Sequence, residues 1–232
     1  MSELLHFAEH RLQEISLLIM AIVYTLRIRW LLHFKSGRER QAQTGALETS
    51  PQKGIAYSLF NIAMPWAMES TRRKKLFYIQ FTLFHLGVTI AILLSFIIPY
   101  YPSLFESQQF LIPLFQTIIG AAFIVGCVRL VRRISNIYIR SISSPDDYFS
   151  LILLIVWFGF AFFAVPNQYQ NGEGILITYF FLTAFFLIYV PFSKISHYLY
   201  YPFARFYFGK TMGHRGVYPI RRESKQGLQY GK

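Results

Sequence analysis

Leu76–Ile98 reads LFYIQFTLFHLGVTIAILLSFII, an apolar run with no acidic or basic charge and one histidine, His85. The hydrocarbon core of a bilayer takes about 20 residues of helix, so this run is long enough to cross it. Four further stretches read the same way, near Leu12–Phe34, Phe110–Leu130, Tyr148–Val165 and Ile175–Tyr198. None alternates with period two, which argues against a barrel. The expected fold is an all-α integral membrane protein of five transmembrane helices. Composition agrees. The chain is 54% hydrophobic and 15% charged, against about a quarter charged in a soluble domain.

The net charge of +12 could point to nucleic acid, but its placement points to topology. The connections 99–109 and 166–174 carry no Lys or Arg. The connection 35–75 holds Lys35, Arg38, Arg40, Lys53 and Arg72 to Lys75. The connection 129–147 holds Arg129, Arg132, Arg133 and Arg140, and the tail holds Arg205, Lys210, Arg215, Arg221, Arg222, Lys225 and Lys232. The positive-inside rule then puts the N-terminus outside and the C-terminus in the cytoplasm. A multi-pass protein of the cytoplasmic membrane is expected, with the lipid bilayer as partner and no nucleic acid. Contact with anionic headgroups or a cytoplasmic protein is the remaining reading of the basic surface. Residues 1–207 are expected to form the membrane domain and 208–232 a basic cytoplasmic tail. Glutamates stand where a cleavable signal would have a basic segment.

Local signals refine the picture. Ser144-Pro145-Asp146-Asp147 has the form of a helix start, with Ser144 as N-cap and carboxylates in the first turn. Pro191 is expected to kink the fifth span, and 36–52 reads as an exposed polar loop. Trp30, Tyr198, Tyr200 and Tyr201 suit an interfacial aromatic belt. Cys127 is the only cysteine. That excludes an internal disulfide and an iron–sulfur cluster held by this chain alone. No C-x-x-C-H occurs, which excludes covalent haem. No nucleophile–base set or phosphate-binding glycine loop points to an active site on this chain.

The histidines carry the candidate chemistry. His6 and His10 share one helix face and read either as a partial metal site or as a solvated helix end. His33 and His214 lie at an interface and in the tail. His85 sits inside a span, where an ionisable residue is a functional hypothesis, with hydrogen bonding to a neighbouring helix as the alternative. Lys75 precedes His85 by ten residues and Arg205 follows His197 by eight. On continuous helices both rings then lie roughly 12–15 Å from the basic boundary. Two imidazoles at one depth can ligate a haem iron from both faces. Gly87 reads either as room for a macrocycle or as close helix packing. Lys194 reads either as a haem-propionate partner or as a lysine at a helix C-terminus.

The stretch Val190-Pro191-Phe192-Ser193-Lys194-Ile195-Ser196-His197 resembles the Pro-Phe-(Ser/Thr)-(Arg/Lys)-x-x-His of the membrane cytochrome b (gamma) subunit of respiratory nitrate reductase. The same superfamily includes membrane subunits of heterodisulfide-reductase-like and sulfite-reductase-associated complexes. Phe84-His85-Leu86-Gly87 is similar to the second-helix ligand region, and Arg132-Arg133 through Ser144-Pro145-Asp146-Asp147 to the inner loop. The resemblance runs from the first span to about Tyr207. It implies electron transfer between membrane quinone and a cytoplasmic iron–sulfur subunit, itself joined to a catalytic subunit, through haem b held by His85 and His197. Relatives of the nitrate-reductase type also hold an outer haem, whose histidine positions fall here on Ser95 and Tyr179. One haem b is therefore expected, with any quinone site near the inner leaflet. The competing expectation is a haem-less anchor that tethers a peripheral complex. A transporter is disfavoured, because charges within the spans lie near their ends: Glu14, Arg27, Arg29 and Lys194.

Overall fold

A computed structural model describes the chain except residues 35, 36, 38, 47, 65, 67, 68 and 220–232. Lys35, Arg38, Arg221, Arg222, Lys225, Lys232 and the distal part of the expected tail therefore lie outside the described residues. Every regular element among the described residues is helical. Among the described residues seven longer helices organise the fold: α1 (Glu3–His33), α2 (Pro51–Phe60), α3 (Lys75–Tyr100), α4 (Leu111–Ser135), α5 (Pro145–Ala164), α6 (Gly174–Tyr189) and α7 (His197–His214). Among the described residues five helical stretches are long and apolar enough to cross a membrane: α1, α3, α4, α5 and Gly174–Phe192.

The chain divides into two compact units. The first comprises Met1–Leu31 and Leu76–Ser196 and contains the spans. Its core is apolar and aromatic, with Phe84, Leu94, Ile119, Trp157, Phe158, Tyr179 and Phe180 buried. Small residues set its close approaches. A Cβ on Gly87 would stand 2.2 Å from the Ala122 Cβ, so α3 and α4 meet there almost backbone to backbone. Gly126 does the same for α4, with Ile155 of α5 and Phe84 of α3 on its open side. Without a hydrophobic force between helices in lipid, such packing of small residues supplies much of the association.

The first helix begins earlier than expected, at Glu3 rather than near Leu12. The Ser2 hydroxyl accepts from the Leu5 N–H at 3.2 Å, and Glu3 occupies the first turn. A π-helical turn, Phe7–Leu12, lies in this added segment. It leaves Glu9 and Gln13 facing the protein interior, 4% and 0% exposed.

The fifth span ends sooner than expected. It does not run kinked to Tyr198. α6 stops at Tyr189 and gives way to a 3₁₀ turn, Val190–Phe192. Ser193 is extended (φ −99°, ψ 172°), and a second 3₁₀ turn, Lys194–Ser196, follows. Pro191 lacks an N–H and crowds the preceding turn. The Ser193 hydroxyl then competes for the backbone, donating to Val190 O and accepting from Ile195 N–H. The two effects together terminate the helix.

The second unit comprises Leu32–Lys75 and His197–Lys232. The boundary expected at 207/208 falls inside α7, which continues to His214. Within the connection 35–75, of which 36–52 reads from sequence as an exposed polar loop, Pro51–Phe60 forms α2, with Ser50 as N-cap and Pro51 in the first turn. α2 and α7 pack at Gly54, Ser58, Gly209 and Gly213. A Cβ on Gly54 would lie 2.2 Å from Gly209 O, and one on Gly213 2.4 Å from Ser50 O. Arg205 Nε donates to Ser58 O at 3.0 Å. The Gly45 N–H donates to Arg215 O at 2.9 Å, and Arg215 pairs with Glu39 at 2.8 Å.

Candidate functional site

His85 lies mid-way along α3, half-buried between Phe81 and Phe84. Its Nδ1 is 2.7 Å from Phe81 O, one helical turn back. A carbonyl only accepts, so Nδ1 carries the proton. The lone pair of the neutral ring is then on Nε2. Metal-ligating histidines are commonly oriented in this way, with the second nitrogen donating to a backbone carbonyl. Arg129 of α4 lies over the Phe84 ring, 4.7 Å from its centroid, and Arg132 over Phe77 at 4.4 Å. Cations from α4 thus line the α3 segment that carries His85 at its basic end.

His197 opens α7 and is exposed. It belongs to the second unit and His85 to the first. The depth reading from sequence treated His197 as part of the fifth span. It is instead the first residue of a separate helix, so counting residues along the fifth span does not place it.

Gly87 is buried, and the space beside it is filled by Ala122. Close helix packing is therefore its role in this structure. Lys194 holds the start of α5: its Nζ lies 2.8 Å from Ser144 Oγ and 2.8 Å from Asp147 Oδ2. Asp147 also accepts from the Ser144 N–H at 2.7 Å, closing the expected cap. Arg133 Nη1 joins the group through Ser143 Oγ at 2.6 Å and lies 3.9 Å from Asp147.

A second chain of polar groups runs beside this one. The Tyr189 hydroxyl of α6 donates to Asp146 Oδ1 and lies 2.9 Å from Ser150 Oγ. The Lys194 N–H donates to Asp146 Oδ2 at 3.1 Å. From sequence Asp146 reads only as a first-turn carboxylate of the helix start, and Tyr189 is not singled out. They lie 43 positions apart, and nothing in either segment alone marks the pairing.

At the other end of the bundle, Ser95 and Tyr179 are buried in a protein-filled interior. Gln13 Nε2 donates to Ser95 O at 2.9 Å, the Tyr179 hydroxyl donates to Ala91 O, and Trp157 Nε1 donates to Thr183 Oγ1 at 2.9 Å. Gln13 Oε1 has no hydrogen-bond partner among the described residues. The His6 and His10 rings are 4.8 Å apart, and His10 meets Tyr100 edge-on at 5.2 Å. Among the described residues no three His, Cys, Asp or Glu side chains group to hold a metal ion. His214 Nε2 lies 3.3 Å from Gln41 O, and the His33 ring contacts Phe34.

Outside the spans, two carboxyls sit below their ordinary range. Hydrogen bonds from Ser2 lower Glu173, in the connection before α6. The Gln41 N–H lowers Glu39, with help from Arg215. Comparison with protein-family models, curated proteins and solved structures gave no match to this chain.

Proposed function

We propose that this chain is the haem b-carrying membrane subunit of a respiratory oxidoreductase, passing electrons between membrane quinone and an iron–sulfur partner. The observation that supports the reading is the hydrogen bond from His85 Nδ1–H to Phe81 O, which makes Nε2 the nitrogen that would ligate iron from a neutral ring. In this reading His85 and His197 are the axial ligands. Arg129, stacked on Phe84 beside His85, offers a guanidinium to a propionate. A haem iron supplies the one-electron chemistry that these side chains lack.

The fit differs from residue to residue. His85 suits an axial ligand in tautomer and setting. Gly87 and Lys194 are occupied by Ala122 and by the Ser144–Asp147 cap, so neither is assigned to the cofactor here. The buried packing around Ser95, Tyr179 and Gln13 favours one haem over two. The end bearing Arg129, Arg132, Arg133 and Lys194 is assigned to the cytoplasm by the positive-inside rule. The iron–sulfur subunit, and the catalytic subunit beyond it, would dock from that side.

The test is the reduced-minus-oxidised spectrum of the purified protein and of its His85→Leu and His197→Leu variants. A b-type signal in the wild type, lost in each variant, is the expected result. A wild type without that signal would establish the haem-less anchor instead. Survival of the signal in either variant would remove that residue from the ligand pair.

A further inference from the structure

We propose that Phe149, Phe185 and Tyr189 bind the headgroup of a membrane quinone, and that Tyr189 and Asp146 deliver its protons. This rests on the electron-transfer reading above and assigns the quinone a place within it.

The three rings come from adjacent helices, α5 and α6. Phe185 stacks on Tyr189 with centroids 5.8 Å apart and planes 11° from parallel. Phe149 meets Tyr189 edge-on at 5.2 Å and Phe185 at 6.4 Å. Phe149 and Phe185 are 48% and 47% exposed, on helices long and apolar enough to cross a bilayer. Aromatic side chains facing lipid near a membrane interface form an ordinary belt. What separates this cluster from a belt is the chemistry at the Tyr189 tip. The phenol donates to a half-buried carboxylate, Asp146, and sits 2.9 Å from the hydroxyl of Ser150, which is 7% exposed. Phe162 and Phe163, a second aromatic pair toward the far end of α5, meet edge-on at 5.3 Å. Neither ring carries a proton-donating group, unlike Tyr189.

A quinone headgroup is a flat apolar ring with two carbonyl oxygens. The exposed rings offer it a stacking surface reachable from the bilayer, and the phenol offers its oxygen a proton donor. Reduction of a quinone to quinol consumes two electrons and two protons. The electrons come from a one-electron carrier of the haem class, and the protons from the chain. For each proton, the Tyr189 O–H bond breaks as the quinone oxygen gains the hydrogen. The phenolate then takes a proton from the Asp146 carboxyl, which recovers one from water. After two such transfers the side chains are back in their starting state. Tyr189 donates to Asp146 when Asp146 is a carboxylate. Protonation of Asp146 reverses this bond and releases the phenol hydrogen toward the quinone. At the same helix start, Lys194, on the connection after α6, and Arg133, on α4, lie against Asp147, the residue after Asp146.

Photolabelling of the wild-type protein in lipid vesicles with an azidoquinone should mark residues 145–150 or 185–189. Labels confined to the Phe162–Phe163 region, or to other spans, would overturn the proposal. Tyr189→Phe keeps the ring and removes the proton. With the b-type spectrum intact, it should slow quinone-linked haem oxidation about 100-fold, and an unchanged rate would overturn the relay. If that variant fails to fold, Asp146→Asn is read in the same way. Loss of haem from the wild type would sink the electron-transfer reading itself, and photolabelling, which needs no haem, would still decide the site.

Discussion

Gly54→Ala places a methyl group where backbone already stands. Its carbon would lie 2.2 Å from Gly209 O, 2.7 Å from Gly213 Cα and 2.8 Å from Gly213 N. No side chain can swing aside, because every obstacle is main chain of α7. Alanine inside a helix gains about 1 kcal/mol over glycine. Overpacking costs roughly 1–3 kcal/mol, and obstruction by backbone favours the upper end. The net expectation is a loss of about 2 kcal/mol for the α2–α7 pair, or about 30-fold in its opening equilibrium. Gly120→Ala is the internal control. Its Cβ would meet only the Phe162 ring, at 3.4 Å and 3.5 Å, so it should be neutral or stabilising by up to about 1 kcal/mol. Hydrogen exchange of the amides in 51–60 and 198–214 reads the effect locally. His197 is the first residue of α7, so the proposed haem ligation carries the further expectation that Gly54→Ala lowers haem content. Equal protection in Gly54→Ala and wild type would refute the packing argument.

Four further outcomes follow from the same structure. Asp147→Ala removes the carboxylate that accepts from Ser144 N–H, Ser144 Oγ and Lys194; thermal unfolding should show a loss of about 1–2 kcal/mol. Lys194→Ala should cost less, under about 1 kcal/mol, because its side chain is 59% exposed and the pair is screened by solvent. The Glu39 carboxyl is held below its ordinary range by Gln41 N–H and then by Arg215. Its contribution to the second unit is therefore full above the ordinary carboxylate range and fades as pH falls through the lowered folded value. Exchange protection of Gly45 and Ala46 should follow that acid limb, and Glu39→Gln should abolish it. Tyr179→Phe removes one buried hydrogen bond to Ala91 O and should cost about 1 kcal/mol without changing the haem spectrum.

The spans were legible because hydropathy over twenty residues outweighs any local ambiguity. Ser144-Pro145-Asp146-Asp147 was legible because cap, proline and acidic first turn agree. Ser50-Pro51 carries the same cap-and-proline signature ahead of α2. It was passed over because the surrounding connection is polar and α2 has no span-length apolar run. The end of α6 was missed because a proline in a span reads equally as a kink or a stop. Ser193 decided between them, through hydrogen bonds that only the folded backbone makes. Glu9 and Gln13 drew no reading from sequence; the helix that starts at Glu3, with its π-helical turn Phe7–Leu12, holds them buried. Of the candidate site, the placement of His85 within a span was legible from sequence, whereas the Asp146–Tyr189 pairing and the filling of Gly87 by Ala122 are tertiary facts.

The most direct test of the central claim is the haem content of the purified chain, read as haemochrome per protein and paired with the near-infrared magnetic circular dichroism of the oxidised form. One b-type haem per chain with the band of two imidazole ligands is the expected result. No haem, two haems, or a single haem with a ligand other than a second histidine would contradict the account.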